Sequence, residues 1–280
     1  MPVRLTVLAI LAASCLVLCG GCSNKHPEQD YSFTDPRVLT LLAAVDREDL
    51  PEIDRLVAAG VDVNAVGQSI AFPGALDATP LTWAFPEKKA AFERLLQLGA
   101  DPDRCGNRSV TMLAAAVEND PDWLRLVLEH QGNPNLVGPL GVTPLFFAVS
   151  SRRLDNLKLL IDAVADIDRR NAFGFTPIIQ AAEMPWFEGV YWLLEAGADY
   201  RLGDAPNHDL TYYVVAKTVE DGNDQWQSRE KVIDFLDAKG VDFEPACKLV
   251  EEETPDAAKL WKQEMQRRAE EKEKRRGKPE

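Results

Sequence analysis

Histidine is scarce in this chain: there are three in 280 residues, His26, His130 and His208. None belongs to a His-Glu-x-x-His pair, and none sits at ligand spacing from a cysteine, so the sequence offers no zinc site. Three histidines also leave little from which to build a nucleophilic triad. A Gly-rich phosphate loop and a Gly-x-Ser-x-Gly elbow are both missing. The expectation is a chain with no catalytic residues, no metal, no cofactor and no small-molecule substrate, and hence not an enzyme. Positive charge is short as well, with 31 Lys+Arg against 45 Asp+Glu and a net charge of −14. From Cys22 to Cys247 the counts are 20 basic and 36 acidic, whereas residues 248–280 carry 10 and 9 and are nearly neutral. An acidic body excludes nucleic-acid binding through clustered phosphate contacts. It permits a protein partner with a basic surface. No apolar run is long enough for a comfortable membrane span of about 20 residues.

The first 21 residues read as a leader and not as part of the fold. Arg4 provides a short positive region, Leu5 to Leu18 an apolar run, and Gly20 and Gly21 small residues just before Cys22, the layout of a secretory signal peptide. The segment Leu18-Cys19-Gly20-Gly21-Cys22 resembles the lipobox of bacterial lipoproteins. The resemblance implies cleavage before Cys22 and acylation of that residue, a multi-chain anchor to which each buried CH₂ contributes about 0.8 kcal/mol. Cys19 departs from the usual Leu, Ala13-Ser14-Cys15 is a weaker alternative, and ordinary secretory cleavage is the bland alternative. Ser23 after the acylated Cys would, by the family's sorting rule, send the protein to the outer membrane, facing the periplasm. Residues 22–36 are polar and read as a flexible tether.

A repeat runs through the body. Its opening recurs as Thr40-Leu41-Leu42, Thr79-Pro80-Leu81, Thr111-Met112-Leu113, Thr143-Pro144-Leu145, Thr176-Pro177-Ile178 and, faintly, Thr211-Tyr212-Tyr213. Its close recurs as Gly60-Val61-Asp62, Gly99-Ala100-Asp101, Gly132-Asn133-Pro134, Val164-Ala165-Asp166, Gly197-Ala198-Asp199 and Gly240-Val241-Asp242. Thr before Pro is an N-cap followed by a residue suited to the first helical position, and Gly suits a left-handed helix stop. A pair of helices this short cannot bury its apolar face alone and needs like neighbours.

Both anchors, at one period near 33, resemble the ankyrin repeat. The resemblance covers residues 37–243 in about six units and implies an all-α solenoid of helix pairs joined by β-hairpin loops. Residues 244–280 are left as a charged C-terminal helix and tail, docked by its first turns through Leu260, Trp261 and Met265 and then frayed. The His that follows Thr-Pro-Leu in the family is absent, with Thr82, Phe146 and Ile179 at that position, which puts local hydrogen bonding in doubt. Val164 replaces the helix-ending Gly of the fourth unit, a strain of about 1 kcal/mol. The first connection, Ala65 to Ala78, carries an insertion with Ile70, Phe72 and Leu76, and the sixth unit another around Thr218 to Ser228. Cys105 and Cys247 fall about three and a half units apart, too far for a disulfide, so two free thiols are expected. The Asp residues of the Gly-Ala-Asp turns read as structural, and each His as a surface residue.

Binding is the remaining function, and the expected place for it is the hairpin tips and the concave face of the first helices. The candidate residues are Leu140 and Val142 on one tip, Phe173 and Phe175 on the next, and the acids Glu118 and Glu183 on the first helices. The Phe pair has an alternative, folding back on the hairpin base. The resulting expectation is a protein–protein interaction module of the bacterial cell envelope, tethered to the membrane through Cys22. Resemblance to lipidated ankyrin proteins of Gram-negative bacteria implies either an immunity factor against a secreted effector, for example a phospholipase, or an accessory of a periplasmic oxidative-stress enzyme. A structural envelope protein that uses anchor and C-terminal helix as two ends of a bridge is the alternative from another class.

Overall fold

A computed structural model describes residues 31–69, 78–104, 115–205, 208–217 and 224–276. The expected signal peptide, Cys22, Cys105, the Ile70–Leu76 loop and the third repeat opening at Thr111 lie outside them. The contacts divide into two compact units, one ending at Ala165 and the other beginning at Asp166, so the repeats of 37–243 contribute to both.

In the first unit, seven described helices follow one another: α1 (Arg37–Asp46), α2 (Leu50–Ala58), α3 (Pro80–Ala84), α4 (Lys89–Gln97), α5 (Asp122–Glu129), α6 (Pro144–Ser150) and α7 (Leu154–Asp162). They pack as antiparallel pairs, α1 on α2, α3 on α4 and α6 on α7, and the pairs stack through α1 on α3 and α2 on α4. Before α1, β1 (Tyr31–Ser32) pairs antiparallel with β2 (Gln68–Ser69), which follows α2. The Phe33 ring lies against Gly67, where an added Cβ would meet it at 2.2 Å. The tether expected over 22–36 is therefore tied down from Tyr31 onwards, because Phe33 finds a glycine to pack on.

The helix starts show what the missing His costs. Thr79 caps α3 by a reciprocal box with Thr82: the Thr82 N–H donates to Thr79 Oγ1 at 3.2 Å, and the Thr79 N–H donates to Thr82 Oγ1 at 2.8 Å. Thr82 thus does locally what a polar residue at that position must do. With Phe146 and Ile179 there instead, the hydroxyls of Thr143 and Thr176 are buried without a hydrogen-bond partner, at about 1–3 kcal/mol each.

The helix ends give the repeat its true register. The left-handed residue after each second helix is Gly60 (φ 82°), Gly99 (91°), Gln131 (66°), Val164 (60°), Gly197 (95°) and Gly240 (73°). In the third unit it is Gln131 and not Gly132, which stands one step late. The residue two positions on carries a side chain that accepts from the N–H two further along: Asp62 from Asn64, Asp101 from Asp103, Asn133 from Asn135, Asp199 from Arg201 and Asp242 from Glu244. The residue four positions on then reaches the next turn. Asn64 accepts from the Asp101 N–H at 2.7 Å and donates to the Gly99 carbonyl at 2.9 Å, Asp103 accepts from Asn133, Asn135 donates to the Val164 carbonyl, and Asp168 accepts from Asp199. This side-chain ladder explains the recurrent Asp without any chemistry. Val164 is 81% exposed, so its side chain gains nothing from packing while a β-branched residue strains in the left-handed region. Val164→Gly should raise the stability of the first unit by up to about 1 kcal/mol, read as a higher urea midpoint.

The second unit contains α8 (Pro177–Glu183), α9 (Phe187–Glu195), α10 (Leu210–Ala216), α11 (Asp224–Ala238), α12 (Glu244–Glu253) and α13 (Pro255–Arg276). α8 pairs with α9, α9 packs on α11, and α10 meets α12 and α13. Helix α11 already runs from Asp224, which shortens the insertion expected around Thr218 to Ser228. α13 docks by its first turns as expected, but through Trp261 and not Leu260, which is 51% exposed, and the docking runs on to Arg268 before the side chains turn exposed. Ala258, Trp261 and Arg268 are buried, three and then seven residues apart with half-buried Glu264 and Met265 between them, so one face stays inward for three turns. The apolar pattern ends at Met265, but the stripe continues as a buried arginine. Cys247 is a free, buried thiol on α12.

Candidate protein-binding site

The hairpin before α6 is built on a tight turn. The Gly138 N–H donates to the Val142 carbonyl at 2.8 Å, and the Gly141 N–H donates to the Gly138 carbonyl at 3.2 Å. Closing the turn puts Leu140 at φ 60°, ψ 19°, a conformation that γ-branched side chains rarely adopt. Leu140 is 39% exposed and Val137, on the segment leading in, 48% exposed. Sequence reasoning passed over Val137, though its place two residues before the turn was a usable signal.

Val142 is a correction: it is 3% exposed and cannot meet a partner. It directly precedes the Thr143 N-cap, the position from which an apolar residue packs back onto the first helical turn. In the second unit, Phe173 and Phe175 are half-buried. Asn171 Oδ1 accepts from both their N–H groups, at 2.9 and 3.1 Å, and Asn171 N–H donates to the Phe175 carbonyl. Gly174, at φ 85°, takes the left-handed position of this turn, which relieves Phe173 of the strain Leu140 carries. Arg170 Nη1 donates to the Gly174 and Gly203 carbonyls and ties two successive hairpins together.

The two acids are not free surface charges. Glu118 is half-buried, and burial pushes its carboxyl up, against the pull of nearby Arg153. Its backbone carbonyl accepts from the buried Asn156 of α7 at 2.9 Å. Glu183 pairs with Lys217 at 3.1 Å with 17% of its side chain exposed. Both are engaged within their own unit, because they stand at first-helix ends that the next helix pair covers. His208 is likewise no surface residue. Its ring stacks on Tyr212 at 4.1 Å, its Nε2 lies 3.4 Å from Glu253, and Tyr212 Oη donates to Glu253 at 2.6 Å.

Among the described residues no group of three or more His, Cys, Asp or Glu is placed to hold a metal ion. No described helix is long and apolar enough to cross a membrane. What the geometry offers is an exposed, strained apolar tip in the first unit and a half-buried aromatic hairpin in the second.

The comparisons with known proteins bear on the scaffold. Residues 111–204 match the family model of ankyrin repeats in three copies. Protein PhlB of Serratia liquefaciens is 29% identical over 184 residues, 64% of this chain and 77% of that relative. Among solved structures, an ankyrin repeat domain from Acinetobacter baumannii AYE superposes with a TM-score of 0.57 at 19% identity, over 74% of this chain and all of that domain. The ankyrin repeat protein EF0377 gives 0.55 at 22% identity, over 70% and 96%. The chain has the ankyrin-repeat fold, a scaffold for protein–protein interaction.

Proposed function

We propose that this ankyrin-repeat chain is a protein-recognition module of the bacterial cell envelope, without catalysis of its own, that binds a protein partner through the Val137–Leu140 tip. The supporting observation is Leu140: a leucine in the left-handed region costs about 1–2 kcal/mol, and its 39% exposure means packing does not repay it. Strain kept where a glycine would serve the fold better points to a contact outside the fold. An apolar tip on a chain of net charge −14 suits a partner that presents an apolar pocket within basic surroundings. Lipidation at Cys22 would hold the module at the outer membrane facing the periplasm. An immunity factor that covers a secreted effector is the narrower form of this reading, and an accessory of a periplasmic stress enzyme its variant. The bridging alternative is weakened by α13, whose inner face is engaged by its own unit.

The experiment compares full-length protein with Val137→Glu/Leu140→Glu, capturing partners from envelope extract. The double variant is expected to lose the partner by more than tenfold while its stability to urea stays within about 0.5 kcal/mol of wild type or above it. Equal recovery removes the tip as the binding surface.

A further inference from the structure

The second unit buries two arginines, and both belong to one cluster. Arg229 on α11 is 2% exposed, the largest fully buried side chain among the described residues. Its Nη1 donates to both oxygens of Glu264 on α13 at 2.6 Å, and its Nε and Nη2 donate to the Val214 carbonyl at the end of α10 at 3.1 and 2.7 Å. The guanidinium also lies 5.3 Å from the Trp261 ring. Arg268, on α13 and 7% exposed, reaches back to α11, where it pairs with Glu230 and, at 2.6 Å, with Asp234. Two cations thus face three carboxylates. If all are ionised the cluster carries one surplus negative charge, between helices that have to stay together.

The surplus falls on Glu230. Its side chain is 24% exposed, and its Oε1 is buried with no hydrogen-bond donor. Glu264, itself 15% exposed, hydrogen-bonds to the same carboxyl group, and such a bond between two carboxyl groups forms only when one of them carries a proton. We infer that α13 is a strap over the last repeat whose hold is set by a single proton shared between Glu230 and Glu264. With the proton the cluster is neutral and its orphan oxygen has a partner. Without it, two half-buried carboxylates repel each other across the α11–α13 contact.

Burial holds the Glu230 carboxyl above the ordinary glutamate range; Arg268 opposes this, and Glu264 and Asp234 add to it. A raised carboxyl favours the closed strap below its own titration, and that contribution is lost as pH rises through it. Several other charged groups on the packed elements have partners of their own. On α13, Lys262 pairs with Glu251 of α12 at 2.7 Å and Arg267 lies over the Trp226 ring. On α11, Lys231 lies over Tyr191, and on α12, Lys248 pairs with Glu244. Lys217, after α10, takes Glu183. One further ionisable pair, His208 with Glu253 at 3.4 Å, stands on these elements. It joins the start of α10 to the end of α12.

Hydrogen exchange of the 255–276 amides, corrected for intrinsic rates, tests the strap in full-length protein between pH 4.5 and 8. In wild type the exchange should speed up with pH, by at most about tenfold per unit within the window where Glu230 titrates. Glu230→Gln keeps the shape of the protonated acid and supplies a permanent donor to Glu264. It should hold the strap closed and flatten the pH response, whereas His208→Gln should leave the response intact. A response that survives Glu230→Gln, or that vanishes in His208→Gln, overturns the assignment. So does a wild-type strap whose exchange does not change with pH.

Discussion

Replacing Arg229 with alanine is expected to destabilise the second unit by about 3–5 kcal/mol, the cost of removing one partner from a buried ion pair. Three losses coincide. Glu264, 15% exposed, would be left without the cation that holds both its oxygens. The Val214 carbonyl would lose two donors at the end of α10. The space between Phe187 and Trp261, whose rings lie 5.9 and 5.3 Å from the guanidinium, would open as a cavity. With a urea slope of about 1–3 kcal/mol/M, the unit's midpoint should fall by more than 1 M. Arg229→Lys keeps the charge but not the fork that serves Glu264 and Val214 together, so it should recover only part of the loss. Arg229→Met combined with Glu264→Leu removes both charges and fills the space, and should come much closer to wild type than Arg229→Ala. If Arg229→Ala is as stable as wild type, the cluster does not hold α13.

Arg229 also shows where sequence reading stops. The repeat period, the Thr-Pro helix starts and the left-handed stops are local signals, each carried by residues whose backbone preferences act within one turn, and they are legible. A buried arginine looks in sequence like any charge on a solvated helix. Nothing within four residues of it announces that Glu264, far along the chain, supplies its counter-charge. The same reasoning ended the docking of α13 too early, since the inward stripe passes from Trp261 to Arg268 and changes chemistry on the way. Leu140 was legible as a tip residue because a hairpin fixes its neighbours. Val142, two positions on, was not separable from it, since the burial of the residue before an N-cap depends on the helix it folds back on. Gln131 is a further case: a glycine one step away from the stop drew the repeat boundary to itself, and only the observed φ of 66° moves it back.

A second large effect is expected in the first unit, at Asn156. It is 1% exposed, and its Nδ2 donates to the carbonyls of Ala115, Ala116 and Glu118 at 3.3, 3.0 and 2.9 Å. The Ala115 carbonyl also accepts from the Glu118 N–H at 3.3 Å; carbonyls that close a helix otherwise depend on side chains or water. Arg153, one turn earlier on the same side of α7, donates to the Val117 carbonyl at 2.8 Å, so α7 caps its neighbour with two side chains. Asn156→Leu keeps the volume and removes both donors. It leaves buried carbonyls unpaired at about 1–3 kcal/mol each for those that cannot reach water, and a total loss of about 2–4 kcal/mol is expected. Asn156→Asp should be at least as damaging, because a carboxylate would face the carbonyl oxygens; lowering the pH to protonate it should restore part of the stability. Urea unfolding of the full-length variants checks both. Asn156→Leu at wild-type stability would mean that water replaces the capping amide, and that the contact between the third and fourth repeats is held by apolar packing alone.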